Sequence, residues 1–241
     1  TAIVLLIKLG AAGLSYAMFI AIARALDAEA FGSFGLAFSA ATLGAVIIGF
    51  GQKAYILRRA PVLFAAQNQA AVGALNRRAL LVFALITILI GGLGLLAVTA
   101  WPTTLPAGLW LWATGAAGLF ALAEYQQSTA RSAGIFIRAL APRDLVWRIL
   151  VIAFAVGAAS ATWMSAQSIF AALVLSLAGL LLAQQAWLPP LRPGLAAPAV
   201  DDRSRVWLTA SAGLWGVAII QALIPNLSVL AVGFILDVDT A

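Results

Sequence analysis

Apolar stretches close to the roughly 20 residues that cross a bilayer recur along the whole chain, separated by short polar connections. Six such spans are expected at residues 3–23, 34–55, 79–100, 105–126, 146–161 and 169–188. A seventh, at 206–234, is long for one crossing, and Pro225 removes a helical hydrogen bond partway along it, so a kinked or broken span is expected there. Between spans two and three, residues 61–78 place Pro61 at a first helical position and mix apolar with amide side chains, the pattern of a short helix lying on the membrane. The connection after span six is rich in Pro and small residues and reads as a semi-rigid linker. The expected fold is therefore all-α, a polytopic transmembrane helical bundle. Residues 1–188 form one six-span lobe, 189–205 a cytoplasmic linker, and 206–241 the start of a second lobe. The chain opens directly on an apolar run, without the basic region and cleavage site of a signal peptide, and residues are expected to precede Thr1.

Composition sharpens this picture. Hydrophobic residues make up 64% of the chain and charged residues 9%, where a soluble domain carries about 25% charged residues. With no cysteine and no histidine, disulfides, thiolate nucleophiles, Ser-His-Asp triads and His or Cys metal sites are excluded, so no catalytic residue, cofactor or metal is assigned and no enzyme is expected.

The net charge of +6 comes from bases that sort to one side. Lys53, Arg58, Arg59, Arg77 and Arg78 surround the second connection, Arg131, Arg138, Arg143 and Arg148 the fourth, and Arg192, Arg203 and Arg205 the sixth. Lys8 lies inside the first span, and Arg24 alone sits in an outer connection. By the positive-inside rule the amino terminus and the basic connections are cytoplasmic, and the charge serves orientation and anionic lipid headgroups, not nucleic acid. Trp101, Trp110, Trp112 and Trp163 fall at outer ends of spans and Trp147, Trp187 and Trp207 at inner ends, the headgroup depth that amphipathic rings favour.

An internal echo divides the chain. ALDAEAF at 25–31 aligns with ILDVDTA at 235–241, so that Leu26, Asp27 and Glu29 match Leu236, Asp237 and Asp239, and Ala21 meets Ala231 at the same spacing. Span seven on this reading restarts the pattern of span one, as in transporters built from parallel repeats.

The segment IARALDAEAFGSFGLAFSAATLGAVIIGFGQKAYILRRAP (22–61) resembles the opening of the polysaccharide and oligosaccharide flippases of the multidrug, oligosaccharidyl-lipid and polysaccharide exporter superfamily. Arg24, Leu26, Glu29, Phe31 and Gly32 fit that family's turn after span one, and Gly49, Gly51, Arg58 and Arg59 its close of span two, while Asp27 and Ala28 replace the usual Gly-Pro. QQSTARSAGIFIRALAPRDLVWRIL (126–150) is similar to the family's basic connection into span five, and NLSVLAVGFILDVDTA (226–241) to its span-seven ending. The resemblance implies a transporter of the bacterial cytoplasmic membrane that flips a lipid-linked oligosaccharide with a polyprenyl diphosphate headgroup for cell-surface polysaccharide. Its coupling ion is left open. The alternatives are a cation-coupled multidrug exporter of the same superfamily, expected to place carboxylates deep in its spans, and a multi-pass enzyme of glycan assembly.

A diphosphate needs cations near the hydrocarbon. Lys8, Lys53 and Arg131 are those nearest it on the basic side, placed to meet at one depth, although each equally suits snorkelling to the headgroups. Glu124 is read as the one carboxylate near a membrane-embedded stretch, close to the inner end of span four, either lining a cavity, paired with Arg131 or Lys53, or in contact with water. Arg24 suits the helix dipole and a pair with Asp27 or Glu29, or substrate contact. Gln221 and Asn226 flank Pro225, where freed backbone groups line a cavity or are satisfied within the kink. Gly44, Gly49, Gly51, Gly91, Gly92 and Gly94 offer surfaces for close helix approach.

Overall fold

The computed structural model describes residues 2–100, 106–159, 163–192 and 204–235, with side chains except at 98, 99, 204–208 and 225–235. Every regular element among them is helical: α1 (Ala2–Ala25), α2 (Ala28–Gly49), α3 (Gln52–Ala65), α4 (Gln69–Ala100), α5 (Ala107–Ser132), α6 (Phe136–Ala141), α7 (Trp147–Gly157), α8 (Ala166–Trp187) and α9 (Ser204–Ile235). A wide π turn, Pro142–Val146, joins α6 to α7 without a break, and a 3-10 turn, Pro189–Leu191, follows α8. Five helices, α1, α2, α4, α5 and α8, are long and apolar enough to cross a membrane, which fits a multi-pass membrane protein.

Local chemistry sets the helix ends, and at several places it overrides the expected spans. The expected span at 34–55 is two helices. Asp27 caps α2 by accepting a 2.8 Å hydrogen bond from the amide of Ala30, so the helix starts early. Phe50 and Gly51 both take left-handed backbone angles (φ 40° and 67°) and end it, leaving Lys53 and Tyr55 in α3. The membrane-lying helix expected over 61–78 is corrected likewise. Pro61 lies inside α3, the reversal comes at Gln67 with φ 53°, and Asn68 accepts a 3.0 Å bond from the amide of Ala71 to start α4, which carries Arg77 and Arg78. The span expected at 146–161 belongs to a helical path running from Phe136 to Gly157. Finally, α9 continues unbroken through Pro225.

α5 is the axis of the bundle, packing against α2, α3, α4, α6 and α8. Side-chain contacts fix the directions. α4 is antiparallel to α5, with Gly94 beside Trp110, Gly91 beside Thr114 and Gly118 beside Thr87. α7 is antiparallel to α8, as the Trp147 indole donates 3.1 Å to the carbonyl of Leu173 while Phe154 meets Trp163. α9 is antiparallel to α2, since Trp215 reaches Val46 and Ser211 reaches Gln52. It therefore runs in the direction of α1, the direction a repeat of span one requires.

Helices in lipid gain little from apolar burial alone and associate through close packing. A Cβ on Gly44 would lie 3.0 Å from that of Ala117, and one on Gly118 would lie 2.7 Å from Thr87 Oγ1, so α5 meets α2 and α4 at small residues. Gly49 and Gly92 have nothing within 4 Å and carry no such contact. Toward the end of α1 and the starts of α2 and α8, Phe19, Phe34, Phe38 and Phe170 interlock, with Phe34 and Phe170 centroids 5.2 Å apart. Phe120 and Trp147 extend this cluster toward the opposite, basic end. Trp147 is thus a core residue, 3% exposed, not the interfacial anchor expected. Trp163 and Trp187 are exposed.

Candidate functional site

The polar side chains gather just beyond Phe120 and Trp147, where α1, α3, α5 and the π turn meet. α5 extends to Ser132, so Glu124 sits roughly 12 Å inside its end at about 1.5 Å rise per residue, deeper than its expected position near the end of a span. Glu124, Gln127 and Arg131 follow a three- and four-residue spacing along α5. The π turn begins at Pro142, which has no amide hydrogen to donate, and its extra residue per turn places Arg143 and Asp144 against α5 and α1.

Two carboxylates organise this site. Asp144 is the more buried, its side chain 6% exposed. The Lys8 ammonium donates to its Oδ2 at 2.6 Å, Gln127 donates to its Oδ1 at 3.4 Å, and Arg148 lies 3.8 Å from the same oxygen. Arg148 also donates to the backbone carbonyls of Asp144 and Arg143, at 2.6 and 3.2 Å, tying its guanidinium to the widened turn. Glu124 is 37% exposed. Lys53 donates to its Oε2 at 3.0 Å, and Arg143 approaches its Oε1 at 3.5 Å while lying over the Phe120 ring. Two carboxylates thus face four cations, leaving the locality electropositive and attractive to anions.

Lys53 and Glu124 open onto a cavity of about 300 Å³ between α2, α3, α5 and α9. Gly49, Gly51 and Ala121 line it on one side, and Leu214, Ala218 and Gln221 on the α9 side. Pro225 cannot donate to the carbonyl of Gln221 four residues earlier, so that acceptor is left without its helical partner at the cavity wall. The α9 wall is held by Gly51, where a Cβ would run into the Ser211 carbonyl, by Gln52 donating to Ser211 Oγ at 3.2 Å, and by Trp215 packed on Phe50 and bonded to the Val46 carbonyl.

Of the expected site residues, Lys53, Glu124 and Gln221 come together around this cavity. Lys8 joins the same charged group but through Asp144, with its side chain half exposed. Arg131 does not meet them. Its Nε is buried without a partner among the described residues, and the cation on Glu124 beside Lys53 is Arg143. Arg24 is exposed with no ion pair among the described residues, and Asp27 serves as the cap of α2. The side chain of Asn226, with Arg203, Arg205, Trp101, Trp207, Asp237 and Asp239, lies outside the described residues.

Sequence reasoning missed Asp144, so the reading of Glu124 as the one carboxylate near an embedded stretch is corrected, and it missed Arg143 as a partner. The available signal was Pro142 followed by Arg-Asp with Arg148 four residues beyond Asp144, a helical ion pair rather than a loop charge. Among the described residues no group of three or more His, Cys, Asp or Glu side chains could hold a metal ion. Compared with known proteins, the chain matches no family model, no curated protein and no solved structure.

Proposed function

We propose that this chain is the first lobe and the opening helix of the second lobe of a bacterial cytoplasmic-membrane transporter that flips a lipid-linked oligosaccharide. On this reading the spans are α1, α2, α4, α5, the helical path Phe136–Gly157, α8, and α9 as the seventh, with residues 189–205 the linker and the amino terminus cytoplasmic. The carrying observation is the electropositive cavity: Lys53, Glu124 and Gln221 line it, with Arg143 behind Glu124. Ionisable residues are costly within a membrane and belong on a polar pathway. Cations there suit a diphosphate, and the Gln221 amide suits a sugar hydroxyl. About 300 Å³ is the small end of ligand sites and takes a headgroup with its first sugar, not a glycan chain. The interlocked rings of Phe19, Phe34, Phe38 and Phe170 lie away from the basic side, which suits a lobe that opens toward that side.

Glu124 and Asp144 lie among the helices of the bundle, and carboxylates so placed are the observation for one second reading, a cation-coupled exporter of the same superfamily in which a coupling ion competes with their Lys and Arg partners. The two separate in cells carrying Lys53→Ala with Arg143→Ala at the native locus. The flippase reading expects loss of surface glycan at normal protein abundance. Full surface glycan in that double variant would reject it.

A further inference from the structure

The two carboxylates of the site are held differently, and the difference bears on how it would take a ligand. Asp144 is enclosed at 6% exposure and bonded on both oxygens, so its ion pair with Lys8 is part of the scaffold. Glu124 is 37% exposed and its partner Lys53 is 54% exposed, so this pair stands in reach of water at the cavity wall. The Glu124 carboxylate spans two cations, giving Oε2 to Lys53 at 3.0 Å and Oε1 to Arg143 at 3.5 Å. A phosphate group presents two or more oxygens in the same forked way and carries more charge than a carboxylate. Arg143 is kept in place without Glu124, by the Phe120 ring beneath it and by its position in a π turn whose carbonyls hold Arg148.

We propose that Glu124 is an internal stand-in for the substrate's phosphate: it occupies Lys53 and Arg143 while the cavity is empty, and a prenyl-linked diphosphate displaces it to bind the same two cations. The inference rests on the lipid-linked substrate proposed above and adds the binding pair and an internal competitor. No bond is made or broken. Displacement leaves the freed carboxylate facing the cavity, where it is already partly hydrated, and its repulsion of a bound diphosphate supplies a push toward release. A cation site without such a competitor would hold a dianion too firmly for turnover, so the competitor tunes affinity downward.

This makes a prediction of unusual sign. Isothermal titration of the full chain in detergent micelles would use farnesyl diphosphate as the probe, with inorganic pyrophosphate and farnesol as the water-soluble and uncharged arms. Glu124→Gln and Glu124→Ala should each bind farnesyl diphosphate more tightly than the wild type, by about tenfold for one removed charge-assisted competitor. Lys53→Ala and Arg143→Ala should each bind it about tenfold more weakly on the same grounds. Two replacements at Glu124 are used so that a folding defect in one, checked by circular dichroism, does not decide the matter. If the wild type binds farnesyl diphosphate and neither Glu124 variant binds more tightly, displacement is overturned while the lipid-linked reading stands. If no protein in the set binds farnesyl diphosphate, the proposed function itself fails. Equal affinity for inorganic pyrophosphate, with the same gain on losing Glu124, would support displacement but assign the site to a free anion and count against a lipid-linked substrate.

Discussion

Replacing Lys8 with Met removes the ammonium that lies 2.6 Å from Asp144 and leaves a carboxylate that is 6% exposed. Breaking a fully buried pair costs about 3–5 kcal/mol, and an exposed pair is worth about 0.2–1 kcal/mol. Lys8 is half exposed, and Arg148 and Gln127 remain beside the carboxylate, so the cost falls between these limits, at about 2 kcal/mol. Asp144→Asn alone strands the Lys8 charge, but that charge reaches water and the loss is smaller, about 1 kcal/mol. The double variant leaves no buried carboxylate without its cation; Arg148 loses a charge partner but keeps its bonds to the carbonyls of Arg143 and Asp144, and the Asn keeps an oxygen for Gln127. It should be less than about 1 kcal/mol below the wild type, giving a coupling near 2 kcal/mol in a double-mutant cycle. Reversible unfolding in mixed micelles measures all four proteins. Additive losses, with the double variant as unstable as the two single ones combined, would refute the assignment of Asp144 as a buried charge held by Lys8.

Two further predictions follow from the backbone and the charge pattern. Gly51 is left-handed at φ 67° and abuts the Ser211 carbonyl, while Gly49 has nothing within 4 Å, so Gly51→Ala should destabilise by about 1–3 kcal/mol and Gly49→Ala should not, as thermal unfolding will register; equal effects would mean that α9 is not seated on this elbow. For topology, Trp163→Cys in intact cells should react with an impermeant thiol reagent and Arg58→Cys should not, and the reverse pattern would invert the proposed orientation.

The bundle was legible in the sequence because apolar length is a direct readout of what a bilayer demands, and the five long helices follow it. Helix ends were less so. The elbow at Phe50 and Gly51 turns a non-glycine residue left-handed, and the polar Gln52 and Lys53 just after it mark a change of surroundings but not a break between two helices. Glu124 and Lys53 could be found because each is a charge beside an apolar run. Asp144 was hidden among the bases of a connection, and only its place in a π turn packed against α1 and α5 shows that it is buried. Arg131 attracted attention by depth alone, yet it lies one turn beyond Gln127 along the same face of α5, past the level at which Gln127 meets Asp144. Trp147 followed the rule for interfacial rings, but its indole donates into the core, to Leu173.

The central claim, movement of a lipid-linked oligosaccharide from the basic side to the other, is tested most directly by the sidedness of that lipid when the gene is deleted. In spheroplasts, extractable lipid-linked oligosaccharide should be open to an impermeant lectin when the chain is present in its native context, and should accumulate in lectin-inaccessible form when it is absent. Restoring the wild type should return it to the outer face, and restoring Lys53→Ala with Arg143→Ala should not. An unchanged accessible fraction on deletion would contradict the account.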